Sequence, residues 1–172
     1  MTIKFKLKKN AKKIDRFLLE FLKKQKKSLL IAPMKYGVIS GGKKIRSTII
    51  FDTGKMLKVE EKKLLSVCTA VECIHSYSLI HDDLPCMDND LIRRGKPSTH
   101  KKFGEATAVL AGNSLLTLAF EIISNKKNFL SPKQKNEIIN LLSYCSGHTG
   151  IAGGQELDLK FENKRKKLSQ II

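Results

Sequence analysis

The stretch that decides the fold runs from residue 60 to residue 83 and reads EEKKLLSVCTAVECIHSYSLIHDD. After Lys63 it is rich in Ala, Val, Leu and Ile, and it carries few charges before Asp82. A helix that is apolar on nearly every side belongs in the middle of a bundle rather than at its surface. The stretch therefore predicts the central helix of an all-α fold.

Helical spacing also marks the N-terminal segment. Its apolar residues recur three and four positions apart, at Ile14, Phe17, Leu18, Phe21 and Leu22. Such a stripe favours a first helix over residues 10–27 that packs on a core, although a helix lying on a membrane has the same pattern. Pro33 and Gly37 predict a break after this helix.

The remaining segments complete the helical pattern. They predict helices over residues 43–57, over residues 105–123 and from residue 131 onward. Pro132 follows Ser131, and a Ser cap with Pro in the first helical position is a typical helix start. The polar run over residues 85–97 predicts a loop, and the glycines over residues 147–154 predict a turn or a kinked helix. No strand-like alternation of useful length occurs, so the predicted class is all-α.

The composition narrows the classes of function. Of the 172 residues 41% are hydrophobic, enough for a globular core, and no run approaches the roughly 18 apolar residues of a membrane span. The 33 Lys and Arg exceed the 16 Asp and Glu, for a net charge of +17, but only five are Arg. An evenly spread Lys excess favours drift at exposed positions over a polycationic function. Nucleic-acid binding is the alternative, although few aromatics and no Trp disfavour base stacking.

The cysteines and the N-terminus bear on location. No CxxC pair suggests zinc, and Cys68 and Cys73 lie in apolar helical sequence, which predicts buried thiols. The Lys-rich N-terminus carries Asp15 and Glu20 and lacks the long apolar segment of an export signal. We therefore expect the protein in the cytoplasm.

Four carboxylates follow the central helix within nine residues, at Asp82, Asp83, Asp88 and Asp90. Carboxylate oxygens suit Mg²⁺, which commonly bridges to substrate phosphates. The negative end of a helix dipole also favours a cation. The alternative is a capped surface loop with local ion pairs.

Basic residues on both sides of this acidic run predict an anion site. Arg93 and Arg94 follow it, and a guanidinium is a planar fork for phosphate oxygens. Upstream, two glycines precede Lys43 and Arg46, which are three residues apart at a predicted helix start. His75 precedes Asp82 by seven residues, two helical turns, so both lie on nearly the same face. A buried core histidine is the alternative reading of this residue.

Several motifs in register resemble the trans-isoprenyl diphosphate synthases, above all their bacterial farnesyl-producing members. The resemblance covers residues 36–159. Its motifs are GGKKIR (41–46), ECIHSYSLIHDDLPCMD (72–88), RRG (93–95), KFGEA (102–106), LAGNSL (110–115) and GIAGGQELDL (150–159).

The resemblance implies an isoprenoid-synthase-type helical bundle around a central cavity, usually a homodimer, and a head-to-tail condensation of isopentenyl diphosphate with an allylic diphosphate. Asp82 and Asp88 would hold Mg²⁺ that bridges the allylic diphosphate, with Asp83 supporting this catalytic site. Arg93 would contact the allylic diphosphate. The residues that would bind the diphosphate of isopentenyl diphosphate are Lys43, Arg46, His75 and Arg94.

Product length is argued from the position of Tyr77, five residues before Asp82. Comparison with the family suggests that an aromatic side chain here floors the pocket near a fifteen-carbon product. Farnesyl diphosphate is therefore the expected product. Geranylgeranyl diphosphate is the alternative, since the segment over residues 84–90 agrees with synthases of that kind.

The match to the family stops before its second aspartate-rich motif. After Asp90 the only aspartate is Asp158, and the chain ends on a new apolar stripe, Leu168, Ile171 and Ile172. We expect residues 1–172 to be the N-terminal portion of one polyprenyl synthase domain, inactive alone. Three accounts stay open: part of a longer synthase, the product of a decaying gene, or a non-catalytic module that binds diphosphate.

Overall fold

The computed structural model describes residues 2–39 and 41–161 of the chain. Within them lie eight helices and one two-stranded hairpin. The elements are α1 (Ile3–Lys23), α2 (Ile31–Val38), α3 (Ile45–Met56), α4 (Glu61–Asp82), β1 (Ile92–Arg93), β2 (Lys96–Pro97), α5 (Thr99–Phe103), α6 (Glu105–Ser124), α7 (Pro132–Ser146) and α8 (Ile151–Phe161).

Helix α4 is the centre of the bundle, as predicted. It packs against α1, α2, α3, α6 and α7, with α6 as its main partner. Small side chains let α4 and α6 approach closely, since Cys73, Ala108 and Ala111 are fully buried in their shared core. The all-α class is confirmed.

A smaller core cluster ties α1 and α3 to the first half of α4. It consists of Ile14, Phe51, Leu64 and Cys68, all buried. The apolar stripe of α1 thus packs on the core rather than facing outward. Burial raises the pKa of the Cys68 thiol to about 12, and burial does the same to Cys73, so the predicted buried thiols are confirmed.

Two predicted boundaries are wrong. The break after the first helix falls over residues 24–30, and Pro33 and Gly37 lie beyond it, within α2. Pro33 occupies the first turn of that helix, where no backbone N–H is needed for an intrahelical bond. Helix α1 starts at Ile3 rather than near residue 10, because the Thr2 hydroxyl accepts a hydrogen bond from the backbone N–H of Phe5 at 3.4 Å and caps its start.

The second half of the fold follows the sequence signals more closely. Ser131 caps α7 in a full capping box with Gln134, as the Ser-Pro start predicted. A turn over residues 147–150 precedes α8, which contains Gly153 and Gly154. The apolar stripe formed by Leu168, Ile171 and Ile172 lies outside the described residues.

Helix α6 bears on the expectation that no segment is apolar enough to span a membrane. Among the described helices it alone is long and apolar enough to cross a membrane, by length and composition. Core helices of globular folds pass the same test. Because α6 packs against α4 with its small residues buried, it has a core partner in this fold.

Candidate active site

The acidic run begins at the C-terminal end of α4 and folds back on itself. The backbone N–H of Asp88 donates to the carbonyl oxygen of Asp82 at 2.9 Å, which holds the two residues side by side. Burial raises the pKa of Asp82, and the neighbouring charge of Asp88 raises it further. A bound cation would remove this penalty, so the pair is suited to a cation.

Asp83 and Arg93 pair with each other. The Asp83 side chain is only 3% exposed and accepts a hydrogen bond from Nε of Arg93 at 2.6 Å, while Nη2 of Arg93 contacts the same carboxylate. Nη2 also lies 3.1 Å from Oδ2 of Asp90. Burial raises the pKa of Asp83, and the Arg93 guanidinium opposes that rise. Asp83 therefore holds Arg93, and the contact of Arg93 with an allylic diphosphate stays a prediction.

The carboxylates suit a metal ion that takes some of its ligands from the protein and the others from a bound substrate and water. No set of three His, Cys, Asp or Glu side chains within residues 2–39 and 41–161 is arranged to hold a metal by itself. Mg²⁺ usually takes one or two carboxylates and completes its six oxygen ligands with water and substrate phosphates. The pair formed by Asp82 and Asp88 meets that requirement.

A basic pocket of about 350 Å³ lies between the start of α3 and the middle of α4. We call it the basic pocket. It is lined by all four residues that the resemblance assigns to the diphosphate of isopentenyl diphosphate. These residues come from three separate stretches of the chain. Its lining residues are Gly41, Gly42, Lys43, Lys44, Ile45, Arg46, Glu72, His75 and Arg94.

Neighbouring arginines reach different sites because of the hairpin turn between β1 and β2. Arg94 and Gly95 both have positive φ, 55° and 73°, as a two-residue hairpin turn of type I′ needs. Arg93 precedes the turn and pairs with Asp83, whereas Arg94 lines the basic pocket. The turn thus directs one guanidinium group to the acidic run and the adjacent one to the basic pocket.

His75 links the basic pocket to Arg46. Its Nε2 lies 3.3 Å from Nη1 of Arg46, so the ring accepts from the guanidinium when Nδ1 carries the proton. Burial lowers the pKa of His75 to about 4, and the charge of Arg46 adds to that effect while Glu72 opposes it. His75 is therefore a neutral hydrogen-bonding group near pH 7.

We predict that the His75 ring titrates near pH 4 rather than near 6.5 in the free protein. An unfolded histidine takes up its proton near pH 6.5, so the unfolded state binds more protons as the pH falls from 6.5 toward 4. The free energy of unfolding should therefore decrease with falling pH in that window. NMR titration of the ring measures this directly, and added pyrophosphate should raise the pKa. A ring pKa near 6.5 without ligand would contradict the buried placement.

Gly42 leaves the space that Arg94 occupies. A Cβ on Gly42 would lie 2.5 Å from Nη1 of Arg94. We expect Gly42→Ala to displace this guanidinium and weaken binding of inorganic pyrophosphate about threefold to tenfold. This is less than the loss of a charge-assisted hydrogen bond, because the charge moves but is not removed. Calorimetry measures the change. Gly154→Ala on α8 is the matched control, because a Cβ there would meet no described atom within 4 Å; equal affinities for the two variants would count against the arrangement.

A larger, mainly apolar cavity of about 500 Å³ adjoins the basic pocket. Arg46 and His75 line both spaces, and Asp82 lines the apolar cavity beyond them. The other walls come from α4, α7 and α8. Those wall residues include Ile74, Leu79, Leu141, Leu142, Cys145, Ile151 and Gln155.

Tyr77 is not one of the described residues that line the apolar cavity. The described walls of the apolar cavity include its neighbours Ser78 and Leu79. Tyr77 belongs to the core shared with α6 and packs edge-on against His81, with ring centroids 5.5 Å apart. Five residues along a helix turn a side chain well away from the face that carries Asp82. The product-length role of Tyr77 stays a prediction.

Sequence reasoning missed two residues of the site, Lys44 and Glu72. Both are buried, and both line the basic pocket. The three-residue spacing between Glu72 and His75 could have placed them on one face of α4. The burial of Lys44 had no comparable signal, because it depends on a left-handed backbone at that residue, with φ 50°.

Fold and site together define a mainly helical protein with a basic pocket beside an apolar cavity whose wall includes Asp82. A family model described as polyprenyl synthetase matches residues 27–171, and the chain belongs to that family.

The relatives of the chain agree with this assignment. It is 51% identical to a farnesyl diphosphate synthase of Buchnera aphidicola over 84% of this chain and 52% of the relative. It is 46% identical to that of Escherichia coli over 83% of this chain and 48% of the relative. The crystal structure of an FPP/GFPP synthase from Zymomonas mobilis aligns with a TM-score of 0.90 at 43% identity, over 96% of this chain and 61% of that one. The chain thus spans about half the length of the curated relatives it matches.

Proposed function

We propose that residues 1–172 form the N-terminal portion of a single polyprenyl synthase domain that makes farnesyl diphosphate. The reaction condenses isopentenyl diphosphate with dimethylallyl or geranyl diphosphate and releases diphosphate. The observation that carries this proposal is the wall that the basic pocket and the apolar cavity share. Arg46 and His75 line both spaces, and Asp82 lies on the wall of the second.

In this proposal the basic pocket binds the diphosphate of isopentenyl diphosphate. Lys43, Arg46 and Arg94 supply positive charge, and the neutral His75 supplies a hydrogen bond. A preorganised set of such donors holds an anion without reorganising when it arrives. The apolar tail of the same substrate would then extend toward the cavity that shares Arg46.

The allylic diphosphate would sit at the acidic pair. Asp82 and Asp88 would hold Mg²⁺, which when bound neutralises charge on the leaving diphosphate. Asp83 keeps Arg93 beside this pair, so that the guanidinium can reach diphosphate oxygens from the other side. The allylic C–O bond would ionise, the isopentenyl double bond would attack the cation, and a proton would leave.

The apolar lining of the cavity supports this chemistry. An allylic cation reacts with any water that reaches it, so apolar walls protect it. Product length remains part of the proposal: the bulk of Tyr77 would limit the product to fifteen carbons, acting through the α4–α6 packing that it shares with His81. A geranylgeranyl product would count against that role.

Three further proposals concern the chain as a whole. Turnover is not expected from the 172 residues alone, since they span about half the length of the matching synthases; prenyl transfer by the isolated chain would contradict this. A homodimer is supported by Val109 and Leu110, which are exposed apolar residues on α6. A cytoplasmic location is supported by α1, whose Ile14 and Leu18 are built into the core.

The proposed function is tested by calorimetric binding of inorganic pyrophosphate with and without Mg²⁺. We predict that Mg²⁺ strengthens binding to the wild-type chain. In the double variant Asp82→Asn/Asp88→Asn the gain in affinity from Mg²⁺ should be smaller by a factor of about ten or more. Removing even a group that only hydrogen-bonds to a metal ligand typically lowers metal affinity or activity about 10–100-fold. Asp52→Asn on α3 is the matched control, because that carboxylate pairs with Lys6 away from the site. No Mg²⁺-dependent gain in the wild-type chain, or an unchanged gain in the double variant, would overturn the proposal.

A further inference from the structure

Lys44 and Glu72 are buried charges that the proposed mechanism leaves without a role. Their side chains are only 3% and 4% exposed, and such residues are rarely buried unless they are paired. Nζ of Lys44 lies 3.5 Å from Oε2 of Glu72 and 3.7 Å from Oδ1 of Asp15. It also donates a hydrogen bond to the carbonyl oxygen of Val38 at 2.8 Å.

These contacts join four helices at one point. Asp15 lies on α1, Val38 ends α2, Glu72 lies on α4, and Lys44 is the residue before α3. Lys44 adopts the left-handed conformation, with φ 50° and ψ 46°, which few residues other than Gly and Asn adopt readily. That backbone turn directs the ammonium group inward, and Lys44 lines the basic pocket together with its neighbours Lys43 and Ile45.

Lys44 and Glu72 both belong to the wall of the basic pocket. Glu72 lines the pocket, and its Oε1 accepts a hydrogen bond from the hydroxyl of Ser47 in the first turn of α3 at 2.6 Å. Lys44 and Ser47 therefore fasten both ends of the segment that carries Arg46 to the same carboxylate of α4. We call Lys44, Glu72 and Ser47 the clasp.

The charge of Glu72 makes the clasp matter for an anion. A carboxylate on the wall of a diphosphate pocket repels the ligand, and this repulsion is strong where water is excluded. The ammonium of Lys44 balances that charge at 3.5 Å. Removing it would leave Glu72 buried, uncompensated and facing the anion.

We propose that Lys44 is a positioning residue for the diphosphate pocket: through Glu72 and Ser47 it fixes the start of α3, and it neutralises the one carboxylate that lines the pocket among the described residues. This rests on the proposed function for the identity of the ligand. The geometry of the clasp can be tested without any ligand.

The first measurement is calorimetric binding of inorganic pyrophosphate to the 172-residue chain. Lys44→Met keeps the length of the side chain and removes its charge, and it should raise Kd about tenfold, the size of one charge-assisted hydrogen bond. The double variant Lys44→Met/Glu72→Gln removes both charges and keeps an acceptor for Ser47. It should return Kd to within about threefold of the wild type, because no uncompensated carboxylate then lines the basic pocket.

An exposed ion pair provides the matched control. Lys133 and Glu137 lie one turn apart on α7, with side chains 86% and 62% exposed. Lys133→Met and Lys133→Met/Glu137→Gln should leave pyrophosphate binding unchanged. A merely structural role for Lys44 predicts lower stability with unchanged Kd in the folded fraction, so wild-type affinity in Lys44→Met, or no recovery in the double variant, overturns the proposal.

A second readout separates this proposal from the proposed function. His75 lies next to Arg46, so its ring resonances report the position of α3 in the free protein. They should shift in Lys44→Met and in Ser47→Ala, and stay unchanged in Lys133→Met. If Lys44→Met does not fold, Ser47→Ala alone carries the test, with an expected rise in Kd of about threefold. Failure of the wild-type chain to bind pyrophosphate would contradict the proposed function. Unchanged His75 signals in Ser47→Ala would contradict the inference that the clasp fixes the start of α3.

Discussion

Replacing Arg46 by Met is expected to weaken binding of inorganic pyrophosphate to the chain about 10- to 100-fold. A hydrogen bond to a charged group contributes about 1.5–3 kcal/mol, which corresponds to that range in Kd. Arg46 is the cation that lines both the basic pocket and the apolar cavity, and His75 holds its guanidinium from the side. Met retains much of the apolar stem but has no donor. Isothermal titration calorimetry at low salt measures the effect.

Two further variants give this prediction its controls. Arg16→Met on α1 removes an equal charge from an exposed position and should bind pyrophosphate nearly as the wild type does. Arg46→Lys should fall between, because an ammonium keeps the charge without the planar fork. Equal Kd values for Arg46→Met and Arg16→Met would show that net charge alone attracts the anion, which is also what a nucleic-acid-binding polycation predicts.

Replacing Phe51 by Ala is expected to lower the free energy of unfolding by about 3–5 kcal/mol, the usual cost of deleting a buried aromatic side chain. Phe51 is 1% exposed and packs with Ile14, Leu64 and Cys68 in the cluster that joins α1, α3 and α4. The variant leaves a cavity that its neighbours fill only in part. Urea denaturation followed by circular dichroism measures the loss.

The same variant should affect the site, because Phe51 lies on the helix that begins with Arg46. Loosening α3 would let the basic pocket open, so pyrophosphate binding should weaken together with stability. Phe5→Ala is the control, since Phe5 is 58% exposed on α1 and surface changes usually stay within about 0.5 kcal/mol. A shared urea midpoint for the two variants would mean that the cluster does not anchor α3.

The parts of the fold that the sequence predicted are those whose signals are local. The central helix could be predicted because a stretch apolar on all sides has no stable place except inside a bundle. The start of α7 could be predicted because Ser131 and Pro132 satisfy a helix end with their own atoms. By contrast, the local sequence does not show that Pro33 lies in the first turn of a helix rather than at a break. A helix tolerates proline in its first turn, and where that turn begins is seen only in the structure.

The site divides in the same way. The motifs group Lys43, Arg46, His75 and Arg94 as diphosphate-binding residues, and the structure places all four around one pocket. Their binding of a diphosphate stays a prediction. The alternative of His75 as a purely structural core residue is disfavoured by its place on the pocket wall. The pairing of Asp83 with Arg93 was not foreseen, because four carboxylates in nine residues give no sign of which one turns toward an arginine.

The amino-acid sequence by itself determined the helical class, the central position of α4 and the chemistry available at its end, because residue spacing and residue type are properties of the chain alone. Only the tertiary structure decided which charges meet. Lys44 turns inward to Glu72 because a left-handed residue at the start of α3 brings its ammonium among four helices. Arg93 and Arg94 separate because a hairpin turn lies between them. Such pairings depend on how distant helices pack, and that geometry is not encoded in any short stretch of sequence.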